Sequence, residues 1–315
     1  MRAHRIAVVA ACSTALVAGT ASGAPRASRV QLGVAGNPAQ FQALTGQRST
    51  VRLIILAWNQ GGSPGYFRSL FSTMLDEPML GLGIPSGSGL TPADVAHGQG
   101  DSWLVAINQA VAAWAKPIYV RPLAEMNGWW SSYSAYNENG SRRGPAYSTA
   151  MYRKAFARVY LIVHGDPDAN AKLARLGLPP VRGTLAPASN VQVIWNPQGY
   201  GSPDLPGNSA AAYYPGNAYV DVVGDDLYDQ RFKAEWAAAA SLYRAHPGKP
   251  FAFPEWGLWG IDDPTFVKTM GAFVRSHPRT MLTSYFNLQH GSTWDMASKP
   301  RARAAFRRYI DPLAP

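Results

Sequence analysis

The feature that most constrains this chain is an alternation repeated along most of its length. Short runs of β-branched, aromatic and other apolar residues fall at 30–34, 51–58, 79–84, 118–120, 191–195, 220–227, 250–253 and 280–286. Between them, apolar residues recur at helical spacing over 38–45, 64–75, 101–115, 147–163, 232–245 and 264–276, and a last helix is expected over 299–309. The run at 51–58 is nearly all apolar, as strands covered on both faces are. Only the 196–217 stretch, dense in Pro, Gly, Tyr and Asn, shows no helical pattern after its strand. Eight strands with helices between them, and no break in composition, predict an α/β fold: a single (β/α)8 TIM barrel. A doubly wound open sheet is the competitor. It calls for a glycine-rich phosphate turn after the first strand, which Gly33-Val-Ala-Gly36 matches poorly.

The composition agrees. Of 315 residues, 47% are hydrophobic and 15% charged, with 30 Gly and 25 Pro, so the chain is globular and loop-rich. Residues 1–24 read as a removable secretory signal: Arg2 and Arg5, an apolar stretch from Ile6 to Ala18, then the small residues Ala21-Ser-Gly-Ala24. The mature domain is then 25–315, secreted, with no membrane anchor expected. The only cysteine, Cys12, lies inside that signal, where too few apolar residues precede it for lipid attachment to be favoured. The mature chain therefore has no thiol chemistry. The net charge of +10 invites a nucleic-acid reading. Yet the basic residues scatter, except at Lys299–Arg308, where arginines interleave with Ala304, Ala305 and Phe306 as on the solvated face of a helix. No nucleic-acid partner is expected. The histidines form no metal-ligand spacing, and no cofactor is expected.

In a barrel of this kind chemistry sits at the carboxyl ends of the strands. Those ends carry Trp58-Asn59-Gln60, then Arg121, Glu125, Asn127, Trp129 and Trp130, then Trp195-Asn196, Asp225-Asp226-Leu-Tyr228 and Glu255-Trp256. Asn287, Gln289, His290 and Trp294 follow the last strand. Five of the ten tryptophans lie at these ends. That points to an aromatic cleft for sugar rings, although each tryptophan singly is as well explained by core packing. Glu125 and Glu255 make a facing pair, since strands four and seven lie across the mouth from each other, and two carboxyls are what a glycosidase needs. Glu77, Glu138 and Glu235 read as loop or helix-surface positions and are weaker candidates.

Three motifs carry a resemblance. They are Arg121-Pro-Leu-Ala-Glu-Met-Asn-Gly-Trp129, the stretch from Tyr214 to Tyr228 ending Gly-Asp-Asp-Leu-Tyr, and Lys249-Pro-Phe-Ala-Phe-Pro-Glu-Trp-Gly257. In order and spacing they resemble glycoside hydrolase family 26, within the clan of retaining barrel enzymes with catalytic glutamates on strands four and seven. The resemblance implies that Glu125 is the acid/base, Glu255 the nucleophile, Tyr228 a hydrogen-bond donor to that nucleophile and Arg121 a support of the site. It implies endo-acting hydrolysis of a β-linked polysaccharide, with β-1,4-mannan the default. Mixed-linkage β-glucan, β-1,3-xylan and a non-catalytic carbohydrate-binding barrel are the alternatives. The expected substrate-binding set is Arg121, Asn127, Trp129, Trp130, Trp195, Tyr228, Trp256 and Trp294, in a monomer. One position departs: the family's histidine before the acid/base is Ala124 here.

Overall fold

A computed structural model describes residues 30–74, 77–83, 89–288 and 290–314. The signal reading of 1–24, Cys12 and Gln289 lie outside the described residues. The eight strands are β1 (Gln31–Gly36), β2 (Val51–Leu56), β3 (Glu77–Leu82), β4 (Ile118–Pro122), β5 (Val191–Trp195), β6 (Val222–Asp229), β7 (Phe251–Leu258) and β8 (Thr280–Asn287). They pair in parallel, each with its sequence neighbours, and β8 returns to β1, so the sheet closes into a barrel as expected.

The outer layer comprises α1 (Pro38–Thr45), α2 (Pro64–Ser72), α3 (Pro92–Ala96), α4 (Asp101–Trp114), α5 (Thr149–Val163), α6 (Ala169–Arg175), α7 (Ala210–Tyr213), α8 (Trp236–Ala245), α9 (Pro264–Ser276) and α10 (Pro300–Tyr309). Three of these, α3, α6 and α7, are too short for hydrophobic periodicity to announce them. For α3 the signal is local chemistry instead: Thr91 and Asp94 form a reciprocal capping box ahead of Val95. The expected absence of helix across 196–217 therefore needs correction by the four residues of α7.

Strand periodicity divides the core in two. Residues such as Tyr119, Ile194, Val222, Ala252 and Leu282 point into the barrel. Their neighbours Ile118, Val120, Val193, Trp195, Val223 and Phe251 face the helices. This two-residue alternation fixes what reaches the mouth. On β4 the inward face climbs from Tyr119 to Arg121.

The strands β6 and β7 run further than their apolar runs indicated. Pairing continues through Asp226↔Glu255 and Tyr228↔Gly257, with a register shift between Gly224 and Asp226. Pro254 lacks the N–H a ladder needs, and it sits at this irregularity. Gly224 makes room for it: a Cβ there would lie 2.9 Å from both the Pro254 ring and Ile194. Glu255 thus belongs to a rigid strand rather than to the loop beyond it. Glu77 likewise opens β3, at the amino end of the barrel, and not a loop. It faces Gln31 and Tyr119, far from the carboxyl mouth.

Candidate active site

The chain leaves β4 through a tight corner. Leu123 (φ 52°) and Glu125 (φ 54°) both adopt the left-handed conformation without being glycine. Each such residue costs about 1–2 kcal/mol. The corner is held by Leu123 N–H donating to Leu82 O (3.1 Å) and Glu125 N–H donating to Asn196 O (2.8 Å). Tyr152 adds a hydroxyl donated to Leu123 O (3.2 Å). The effect is to turn the Glu125 carboxyl over the barrel mouth.

Arg121 is the hub beneath it, 1% exposed. It donates to Asp226 and, through Nη1, to Glu255 Oε1 at 2.6 Å. Its Nε donates to Asn196 Oδ1. Burial opposes the guanidinium charge, but Asp226, Glu255 and Glu125 outweigh it and hold its pKa above the ordinary value. Glu255 is further bound by Tyr228, whose hydroxyl donates to Oε2 at 3.0 Å. Burial and then the adjacent Glu255 charge push the Tyr228 pKa well up, so this hydroxyl keeps its proton. The Glu255 N–H donates to Asp226 Oδ1 (3.1 Å), locking strand and side chain together.

Glu125 has a different environment. Trp130 Nε1 donates to its Oε2 at 2.8 Å, and Gln198 Nε2 donates to Oε1. Burial, followed by repulsion from Glu255, raises its pKa; Arg121 and the two hydrogen bonds oppose this without cancelling it. One carboxyl therefore accepts from a cation and a phenol, while the other is biased towards holding a proton. Such unequal pairs divide nucleophile and acid roles between two like residues.

Both open into a cleft of about 1110 Å³ that Trp130, Gln198, Tyr228, Trp259 and Trp294 also line. The structure thus gathers Arg121, Glu125, Trp130, Tyr228, Glu255 and Trp294 at one mouth. Trp129 lies beside it, its ring edge-on to Trp130 at 6.0 Å.

Three expected cleft residues are elsewhere. Trp195, fully buried, faces outward from β5 and packs edge-on against Tyr214 and His246. Trp256, on the outward face of β7, stacks on Phe306 at 5.2 Å. Both are core: on β5 the two-residue alternation from Ile194 sends Trp195 outward, while on β7 the register shift between Phe253 and Trp256 reverses the alternation set by Ala252 and turns Trp256 outward. Asn127 is also fully buried and spends its amide on backbone: it donates to Gln198 O (2.9 Å) and Tyr200 O (3.0 Å) and accepts from Gln198 N–H (2.8 Å). Trp58 is 7% exposed and donates to Tyr133.

Several cleft residues escaped the sequence reading. Asp226 was visible as a strand-end residue, but only parity with Tyr228 shows that it faces inward. Gln198 and Trp259 carry no motif; tertiary contact alone marks them. Glu235, read as helix surface, precedes α8 and lines the cleft. Among the described residues no group of three or more His, Cys, Asp or Glu is placed to hold a metal ion.

Fold and site together define a parallel (β/α)8 barrel with a carboxyl pair at its carboxyl mouth. Comparison with known proteins adds names to that class. No family model matches the chain. It is 24% identical over 233 residues to "Endoglucanase H" of Acetivibrio thermocellus, covering 69% of this chain and 23% of that protein. It is 27% identical over 197 residues to "Mannan endo-1,4-beta-mannosidase" of Bacillus subtilis, covering 60% and 43%. The chain therefore spans less than half the length of these curated relatives. Among solved structures, a family 26 β-mannanase from Bacteroides ovatus superposes with a TM-score of 0.61 at 17% identity, covering 92% of this chain and 90% of that one. The resemblance to glycoside hydrolase family 26 carried by the three motifs is thus borne out, as is the barrel.

Proposed function

We propose that this protein is a retaining endo-β-glycanase that hydrolyses β-1,4-mannan by double displacement. The observation that carries the reading is the unequal treatment of two carboxyls at one mouth. Arg121 and Tyr228 both donate to Glu255, while Glu125 has a raised pKa beside it. The names of the relatives support a β-linked polysaccharide, and that of the Bacillus subtilis relative names mannan.

In the first step Glu255 attacks the anomeric carbon, the glycosidic C–O bond breaks, and Glu125 passes its proton to the leaving oxygen. Arg121 balances charge on Glu255 before attack, and Tyr228 keeps the attacking oxygen oriented. In the second step water attacks the same carbon, Glu125 takes the water's proton, and the Glu255 ester bond breaks. The sugar leaves with its original anomeric configuration. The proposal includes export: residues 1–24 act as the leader, and no helix among the described residues is long and apolar enough to cross a membrane. Amino-terminal sequencing of exported protein should begin at Pro25.

The decisive experiment separates the two glutamates. Glu255→Ala should abolish turnover of mannan and recover it with azide or formate, giving product of inverted configuration. Glu125→Ala should lower kcat/KM on mannan by roughly 10²–10⁴. It should still be glycosylated by dinitrophenyl glycosides, whose leaving group needs no proton, and azide should then speed turnover. If neither variant is rescued, or the wild type binds mannan, β-glucan and xylan without cleaving any of them, the hydrolase reading fails.

A further inference from the structure

Beyond β6 the chain makes a four-residue turn that enters the cleft wall. Gln230 and Lys233 bridge in antiparallel fashion, with Lys233 N–H donating to Gln230 O at 3.1 Å. Its two central residues, Arg231 (φ 58°) and Phe232 (φ 60°), are both left-handed. A turn with positive φ at both central positions is the one that Asn-Gly fills without strain. Here an arginine and an aromatic occupy it, so the turn carries side chains at a conformational cost. Non-glycine strain of this kind concentrates where side chains have work to do.

Arg231 and Lys233 line the same cleft as Glu125 and Glu255. The ion pairs found among the described residues are seven, and neither cation takes part in any of them. Glu235 lines the cleft too, yet pairs with neither. Phe232, between the two, is 65% exposed, the largest exposure of any bulky apolar residue described. Trp259 follows the partner strand, and its N–H donates to Asp229 O (2.9 Å), just before the turn. An exposed flat ring that lies in sequence between two cleft-lining cations, neither of them in an ion pair, suits a sugar ring that bears a carboxylate: the ring stacks and the guanidinium forks onto the two oxygens.

We propose that the 230–233 turn is a distal subsite for a uronate residue, so that the preferred substrate is a β-glycan carrying carboxylated sugars; this rests on the β-glycanase reading of the cleft. A matched probe pair is β-1,4-mannan partly oxidised at C6 to mannuronate, and the same material with its carboxyls reduced back. At low salt the wild type should favour the oxidised form at least tenfold in kcat/KM and in binding measured by calorimetry, and added salt should erode that preference. The variant Arg231→Asn, Phe232→Gly, Lys233→Gln should bring the ratio close to one. Because Asn-Gly suits the turn, its unfolding temperature should equal or exceed that of the wild type, which excludes misfolding as the cause. Equal values for the two polymers, or a preference that survives the triple substitution, would overturn the subsite. If neither polymer is cleaved, the hydrolase reading falls, and calorimetry on the same pair still decides the turn.

Discussion

Glu125 and Glu255 are the same residue type within the field of the same guanidinium, and what separates them is who donates to each. The pKa of Glu125 is raised by burial and then by Glu255, and Gln198 and Trp130 moderate that rise by donating to the ionised form. Glu125 must be protonated to act as the acid, so activity should fall as pH climbs through its pKa. Gln198→Ala removes one opposing donor. The alkaline limb of the kcat/KM profile should therefore move to higher pH, with mannan turnover more affected than dinitrophenyl glycoside turnover. An alkaline limb that stays put or moves down would remove Gln198 from the acid's control. A second residue-scale test concerns Asp225. Its Oδ1 accepts Gly199 N–H at 2.8 Å, its Oδ2 is buried without a partner, and burial pushes its pKa from 3.8 up to about 8. Between those values the folded chain holds a proton that the unfolded chain has released, so this residue's contribution to stability is full below 3.8 and declines as pH rises towards 8. Asp225→Asn keeps the acceptor and removes the titration. Its destabilisation relative to wild type, read from urea midpoints, should shrink between acid and mildly alkaline buffer; a constant or growing gap would contradict the assignment.

At the scale of strands, the two-residue period decides which strand-end residues meet substrate. Being at a carboxyl end was legible in the sequence; facing the axis was not read, and parity could have supplied it on β5 and β6 but not on β7, where the extra residue at Pro254 reverses the alternation. On β7, Glu255 and Gly257 look inward and Trp256 looks out; on β5, Ile194 looks inward and Trp195 looks out. The tryptophans thus divide into two groups with opposite phenotypes. Trp195→Ala and Trp256→Ala should each cost about 3–5 kcal/mol of stability through lost core packing. Trp130→Ala and Trp259→Ala should leave the unfolding midpoint nearly unchanged and weaken polymer binding by about 1–3 kcal/mol, as aromatic stacking on flat rings does. Trp294 falls between the groups: it is half-buried against Phe286 at 5.2 Å, so Trp294→Ala should lower both midpoint and affinity. Unfolding curves and calorimetry on the five variants check both halves. The strands themselves were legible because each apolar run is bounded by turn residues. Their extensions were not: β6 continues past the expected end at Leu227 to Asp229, and β7 past Phe253 to Leu258, and Asp229, Pro254 and Glu255 are residues that strand propensity disfavours and tertiary pairing retains. Gln198 and Trp259 lay beyond sequence reading for a related reason: only closure of the barrel brings them against Glu125 and the cleft.

For the molecule as a whole, the distribution of exposed apolar side chains is lopsided. Seven large ones are exposed among the described residues, and Trp130, Tyr200, Trp259 and Leu288 of these line the cleft that holds Glu125 and Glu255. Trp129 packs on Trp130, and Phe232 lies between the cleft-lining Arg231 and Lys233, leaving Tyr66 as the exception. The basic terminal segment, by contrast, is an ordinary surface helix: Ala302, Ala305 and Phe306 of α10 are buried and Arg307 reaches Leu44 O at 3.0 Å. An apolar rim around a mouth of about 1110 Å³ exceeds the range of small-molecule pockets, about 300–1,000 Å³. Its aromatics also stand on both sides of the carboxyls, Trp130 after β4 and Trp259 after β7. A site that closed over one chain end would need contacts on one side only, whereas contacts on both sides grip the interior of a polymer. Mannan treated with the enzyme should therefore lose most of its viscosity while few reducing ends have formed. Trp130→Ala and Trp259→Ala should each raise the number of cuts needed for the same viscosity loss. Reducing sugar that accumulates in step with viscosity loss from the outset, or release of a single short product, would instead mean that the enzyme works from chain ends.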